Sequence, residues 1–251
     1  MQFVFFGASG AMQSRDSGNT CFVLRLTGGS VLVDASSDPV MHLLRAGVSL
    51  ADLDAIILTH RHTDHIYALP SIFHNMRLLR RTKPLVIVGN QPTLEFARSL
   101  LGVFNHLDRD DLCAVDWHVV VEGTEVFLAG GEFRFFSTPH SVPCCGFVCE
   151  YVVVYGADGG PNSAIGKFAP EAPILIHEAS GLHCDADALG AQGHSSARQA
   201  GQAAREIGAQ KLFICGTRAQ TPDEVAALCQ EASETFGKPA LFPQTDHVYE
   251  I

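Results

Sequence analysis

The order of elements along these 251 residues predicts an α/β fold in which two mixed β-sheets pack face to face with helices outside. Three observations lead there. Short apolar strands fill the first sixty residues, a second β-rich stretch runs from about residue 118 to residue 155, and a β-then-α alternation closes the chain. No internal repeat, low-complexity tract or Pro/Gly/Ser-rich linker divides the chain, so a single domain over residues 1–251 is expected.

Phe3–Phe6, Cys21–Leu26 and Ser30–Asp34 read as strands, with Gly28-Gly29 as the hairpin turn between the last two. Asp38-Pro39 supplies an N-cap and a proline at the first helical position, so a helix runs from there to about Ala46. Ala55–Leu58 is a short, wholly apolar strand that delivers the chain to Thr59-His60. Beyond that loop, Pro70–Leu79 and Pro92–Leu101 read as helices flanking a strand at Leu85–Val88. Strands are expected at His118–Val121, Glu125–Leu128, Glu132–Thr138 and Phe147–Tyr155, then at Ile174–His177 and Lys211–Cys215. Helices at Ser195–Ile207 and Pro222–Phe236 carry polar or acidic first turns, and Ala240–Phe242 and His247–Ile251 close the fold.

Composition removes several classes of function. Hydrophobic residues make up 47% of the chain, enough to offset the entropy that keeps polar chains disordered. No run approaches ~20 uninterrupted apolar residues, and Met1–Phe6 lacks the basic region of a secretion signal, so a cytoplasmic protein without a membrane span is expected. The net charge of −10 repels polyanions at long range. One dense basic stretch, Arg77 to Lys83, reads as a solvated helix end. The eight cysteines, several of them inside apolar runs, read as reduced thiols.

The chemistry concentrates in Thr59-His60-Arg61-His62-Thr63-Asp64-His65. His60 and His62 stand two apart, so in extended chain they face one side and can hold one ion together. Asp64 and His65 fall where the chain turns into a helix, which aims them at a neighbouring position. Imidazoles with a carboxylate suit zinc foremost, with manganese or iron as alternatives. Further ligands must come from distant chain. Candidates are His140 and Asp158, each at the end of an apolar run.

His60-x-His62-x-Asp64-His65, then His140, then Asp158 resemble, in order and context, the metal-binding motifs of the metallo-β-lactamase fold superfamily. Phe6-Gly7-Ala8-Ser9-Gly10 with Ser17-Gly18-Asn19-Thr20, Leu32-Val33-Asp34, His177-Glu178-Ala179 and His194-Ser195-Ser196-Ala197 are similar to motifs of its ribonuclease Z-like branch, which includes transfer-RNA processing nucleases and small cyclic phosphodiesterases. The resemblance implies a four-layer αββα sandwich holding two divalent transition metal ions. His60, His62 and His140 would hold the first, Asp64 and His65 the second, and Asp158 would bridge them. Asp64 would also orient the nucleophile, and His194 would act as general acid for the leaving oxygen.

Two departures from the family pattern stand out. Gly216 occupies about the place where a further histidine ligand is expected, which leaves His247 or Cys215 as replacements, or an incomplete second site. Only 17 residues separate His140 from Asp158, without the long extension that clamps RNA, and with the −10 charge this argues against transfer RNA as a substrate.

The resulting expectation is a metal-dependent hydrolase, a phosphodiesterase acting on a small or cyclic phosphodiester. Alternatives are a lactonase or carboxylic ester hydrolase, and a non-catalytic binding member with an incomplete second site. Arg15, Arg61 and Arg218 are candidate phosphate partners, a small molecule is the expected partner, no membrane is involved, and a homodimer is left open.

Overall fold

The computed structural model describes residues 1–161 and 164–251. Seven strands come first: β1 (Gln2–Ser9), β2 (Gly18–Asn19), β3 (Cys21–Leu26), β4 (Gly29–Val33), β5 (Ala55–Leu58), β6 (Leu85–Gly89) and β7 (Val115–Val119). A second series follows: β8 (Glu125–Leu128), β9 (Gly131–Thr138), β10 (Cys144–Cys149), β11 (Val153–Tyr155), β12 (Ile174–Glu178), β13 (Lys211–Cys215) and β14 (Ala240–Leu241). The last strand, β15 (Val248–Glu250), crosses back to the first sheet and pairs with β1.

The first sheet has the order β15-β1-β3-β4-β5-β6-β7, with β2 beside β1, and the second the order β14-β13-β12-β11-β10-β9-β8. Each is antiparallel on one side and parallel on the other, as β4 through β7 and β11 through β14 run parallel. Consequently β4, β5, β9, β11, β12 and β13 end at one rim of the sandwich, where loops can converge, as ligand sites do beyond the carboxyl ends of parallel strands.

Alternation along the strands explains the layers. The inward residues Phe3, Phe5, Phe22, Phe133, Phe135 and Phe147 are fully buried between the sheets. Each such side chain contributes roughly 1.5–3 kcal/mol relative to exposure. The outward residues of the first sheet bury against α1 (Pro39–Arg45), the short α2 (Thr63–Ile66), α3 (Leu69–Leu78) and α4 (Gln91–Val103). Those of the second bury against α5 (Ala164–Phe168), α7 (Ala197–Glu206) and α8 (Pro222–Phe236), with α6 (Ala186–Ala191) on the approach to α7. The αββα sandwich read from the sequence is the fold observed.

Local signals fix the helix ends. Asp38 accepts from the Met41 amide ahead of Pro39, Ser196 and Gln199 form a capping box on α7, and Thr221 and Glu224 form another on α8. Two strands differ from expectation. The run Phe147–Tyr155 is a hairpin, β10 to β11, turning at Glu150 and Tyr151, both at φ 53. Its turn lacks Gly or Pro and lies in apolar sequence, so periodicity could not reveal it. The strand expected at His118–Val121 is Val115–Val119, since Val121 lies 70% exposed beyond it.

The basic stretch is absorbed structurally. Arg81 is buried, and its guanidinium donates to the carbonyls of Leu50, Leu53, Lys83 and Pro84, while Arg77 pairs with Asp111. All eight cysteines are free thiols. Among the described residues, no helix is long and apolar enough to cross a membrane.

Candidate metal centre

The buried strand β5 ends at Leu58, and the chain continues extended through His62 before turning into α2. Asp34, at the end of β4 and fully buried, braces this loop. Its carboxylate accepts from the Thr59 amide (2.9 Å), the Thr59 hydroxyl (2.9 Å) and His65 Nδ1 (2.7 Å). Since Nδ1 of His65 carries the proton in that bond, its Nε2 is free to bind an ion, 3.4 Å from Asp64 Oδ2 and 3.6 Å from Asp158 Oδ2.

His140 follows β9 and Asp158 follows β11. The His140 Nδ1–H donates to the Gly193 carbonyl at 2.8 Å, leaving Nε2 facing His62 Nδ1 at 3.0 Å. Gly193 has to be glycine here, because φ is +75 and a Cβ would stand 3.0 Å from the His140 Cα. The donor atoms of His60, His62 and His140 lie within 4.8 Å of one another, as do those of His60, His65 and Asp158, and those of His140, Asp158 and His194.

These residues fit a cation. His60 is fully buried with Nδ1 on the Thr59 hydroxyl at 3.0 Å, yet its Nε2 has no hydrogen-bond partner. A buried orphan nitrogen costs about 1–3 kcal/mol unless something accepts its lone pair. Burial also holds the His60 imidazolium well below its ordinary range, so it stays neutral and competent to ligate. Burial alone would lower His65 too, but the carboxylates of Asp158 and Asp34 outweigh it and raise its proton affinity. Burial opposes ionisation of Asp158, yet the imidazoles around it, His65 foremost, keep its carboxylate charged. The set of imidazoles with two carboxylates matches transition-metal preference rather than calcium or magnesium.

A second group stands beside the first. Glu178, at the end of β12, is buried and accepts from the Gly159 amide, the Ser180 hydroxyl (2.8 Å) and His194 Nδ1 (3.1 Å). Burial raises the Glu178 carboxyl, while its bond to His194 pulls the other way. His194 would be lowered by burial, but the Glu178 carboxylate outweighs that and raises it. A histidine so oriented can give a proton from Nε2 to a leaving group.

The sequence did not assign roles to Asp34, Thr59 or Glu178. Their common signal is an acid or hydroxyl at the carboxyl end of a buried, largely apolar strand. Neither replacement weighed for the ligand missing at Gly216 joins the cluster. The exposed His247 rests its ring 4.6 Å from Tyr249, and its neighbour Asp246 is tied to His42 and Arg45. Cys215 is buried in the inter-sheet core, where burial raises its thiol well above its ordinary value and disfavours the thiolate a metal requires. Gly216 itself lines a cavity of about 310 Å³ over the cluster, together with His62, Asp64, Asp158, His194 and Arg218. A Cβ on Gly216 would point to within 3.8 Å of Asp158 Oδ1.

Fold and site together define the class, a metal-dependent hydrolase. The chain belongs to the β-lactamase superfamily: the family model described as "Beta-lactamase superfamily domain" matches residues 30–215. Ribonuclease Z of Thermococcus kodakarensis is 30% identical over 189 residues, covering 69% of this chain, and the chain spans 57% of that relative's length. The metallo-beta-lactamase fold protein YhfI from Bacillus subtilis superposes with a TM-score of 0.82 at 23% identity, covering 100% of this chain and 99% of that one. The short form of human tRNase Z superposes with a TM-score of 0.80 at 19% identity, again covering 100% of this chain and 99% of that one.

The last match, with the ribonuclease Z relative, overturns the expectation against transfer RNA. A tRNase Z is built on this same fold, superposing over 100% of this chain and 99% of its own. Net charge describes the whole surface rather than one groove, so −10 does not exclude an RNA substrate.

Proposed function

We propose that this chain hydrolyses phosphodiesters, and that a small or cyclic phosphodiester is the substrate of its cavity. The observation that carries the reading is the convergence of His60, His62 and His140 around a buried nitrogen lacking any partner, with Asp158 alongside. In this reading His60, His62 and His140 would hold one ion, Asp64 and His65 would hold another, and Asp158 would serve both; zinc is the foremost candidate. Divalent cations in these positions supply Lewis acidity toward phosphoryl oxygens and lower the pKa of water.

The protein's own groups do the rest. Asp64, half-buried beside the cluster, orients the nucleophile, and the Asp34 carboxylate fixes the His65 ring so that Nε2 faces inward. His194, held by Glu178 with its ring centroid 5.0 Å from that of His140, donates a proton to the departing oxygen. The cavity's modest volume supports a compact substrate. We further propose that residues 1–251 act as one domain in the cytoplasm, where eight free thiols persist.

A second reading, cleavage of an RNA phosphodiester, is favoured by the ribonuclease Z and tRNase Z relatives. It uses the same scissile group and the same residues. The test is turnover of bis(p-nitrophenyl) phosphate, a p-nitrophenyl carboxylic ester and an RNA oligonucleotide by the metal-loaded protein, with metals counted. Turnover of the small diester with two metal equivalents supports the proposal. Ester turnover alone sinks it in favour of a lactonase, and RNA cleavage alone moves it to the second reading. Ligand binding without turnover, on one metal or none, defines a sensor.

A further inference from the structure

We propose that Arg218 is the residue that selects a phosphoryl substrate over a neutral ester, by binding a non-bridging oxygen of the substrate phosphate. This rests on the phosphodiesterase reading above. Of the three arginines that composition offered, Arg218 lines the cavity over the cluster. Arg15 lines a separate cavity with Gln13 and Tyr67, and Arg61 is exposed and outside the lining of either.

Arg218 is an unspent cation. Its backbone amide donates to the Ser180 carbonyl (3.2 Å), which ties its loop to the turn beyond Glu178. Its side chain donates from Nη2 to the Gln192 amide oxygen (2.6 Å), a neutral acceptor. Among the described residues it makes no ion pair, in a protein with ten more acidic than basic side chains. A guanidinium has five N–H donors in a planar fork matched to phosphate, so most of its capacity remains for a ligand. Its charge reaches the chemistry, since it is among the groups acting on His194.

Gly216 explains why such a group is needed at this spot. Glycine offers no side-chain donor, and with φ at +61 and Glu178 Cβ 3.2 Å from where a Cβ would stand the backbone here disfavours one, so position 216 would give nothing to a second ion. The second ion of that reading would be left with Asp64, His65 and Asp158 and would be held more weakly, so less of its positive charge would stay fixed near the substrate. Two residues along, Arg218 supplies a permanent one over the space that Gly216 leaves open. A carboxylic ester or lactone, being neutral, gains nothing from it; a phosphodiester anion gains a charge-assisted bond.

The test compares metal-loaded wild type, Arg218→Ala, Arg218→Lys and Gln192→Ala on bis(p-nitrophenyl) phosphate and p-nitrophenyl acetate, with metal content measured for each. The expected result is a rise in KM and a loss of kcat/KM on the diester of about 10- to 100-fold for Arg218→Ala. Arg218→Lys should recover part of it, ester turnover should stay within about twofold, and metal content should not change. Unchanged diester kinetics, or equal losses on both substrates, overturns the proposal. So does Gln192→Ala reproducing the Arg218→Ala losses on both, which makes the side chain a loop tether. If wild type hydrolyses no diester, the phosphodiesterase reading fails separately. Calorimetry with inorganic phosphate then still decides for Arg218: a Kd unchanged by Arg218→Ala sinks the anion site, and a tenfold weaker one upholds it.

Discussion

The first sheet brings His60, His62, Asp64 and His65 to the site on one six-residue stretch after β5 that runs into α2, whereas the second brings His140, Asp158, Glu178 and His194 on separate strand ends and loops. One buried carboxylate, Asp34, braces the first contribution through Thr59 and His65. The second depends on the mutual register of β9, β11, β12 and β13, and on contacts between loops such as His140 to Gly193. A contiguous stretch is positioned as one unit by that brace. The members of a distributed set are each positioned separately, and position 216, at the end of β13, is where this chain has a glycine.

The sharpest way to break this contrast is to remove the one carboxylate of the second half that, in the proposed reading, would serve both ions. Asp158→Ala should abolish metal loading and activity, with turnover falling by more than about 10³-fold, because the residue approaches both His60 and His65. Metal analysis of the purified variant checks it. Retention of two equivalents would show that the first sheet's loop holds the ions unaided.

Next in size is His194→Ala. It should keep its metals while slowing the chemical step about 10²–10⁴-fold on a substrate with a poor leaving group. Full rate on such a substrate would remove His194 from the mechanism and leave the second half with ligands only.

A smaller effect is expected in the first half. Asp34→Ala takes the acceptor from His65 Nδ1 and from the Thr59 amide and hydroxyl, all buried. Metal affinity should weaken about 10- to 100-fold, measured by competition with a chelating indicator. Equal weakening on replacing Glu178, which touches His194 rather than the histidine triad, would erase the distinction between the halves.

The same contrast governs what could be read from the sequence. The His60–His65 loop was legible because its donors are adjacent and follow an obvious apolar strand, so local spacing already implies convergence. His140 and Asp158 were recognised through family context, since a lone histidine or an Asp-Gly pair carries no local signal. Asp34 and Glu178 stood in quoted motifs without a role: a carboxylate at a strand end acquires its meaning only when register brings Thr59 or His194 across from it. His247 entered through its place beside the last strand, as a substitute for the ligand absent at Gly216. The backbone turns at Asp246, φ 61, and sends its ring to Tyr249 instead. The αββα layering was legible from the element order, while the β10–β11 turn was not, because Glu150-Tyr151 lacks every residue that ordinarily marks one.

The smallest expected effect concerns stability rather than catalysis, and it again separates the halves. His177, on β12 beside Glu178, is buried, and burial lowers its proton affinity below the ordinary value of 6.5. Its folded pKa therefore lies below its unfolded one, so its contribution to stability is present above pH 6.5 and is lost as pH falls through that value toward the folded pKa. In the first half His65 runs the opposite way: raised by Asp158 and Asp34, its contribution is complete below pH 6.5 and is lost as pH rises through its folded pKa. The difference in unfolding free energy between metal-free wild type and His177→Gln isolates the first of these from every other titrating group. That difference should be flat above pH 6.5. Below it, wild type should lose stability faster than the variant, by up to about 1.4 kcal/mol per pH unit for one proton. Urea unfolding at several pH values reads the slope directly, and parallel curves for the two proteins down to pH 5 would mean that His177 takes up its proton in the folded state without cost.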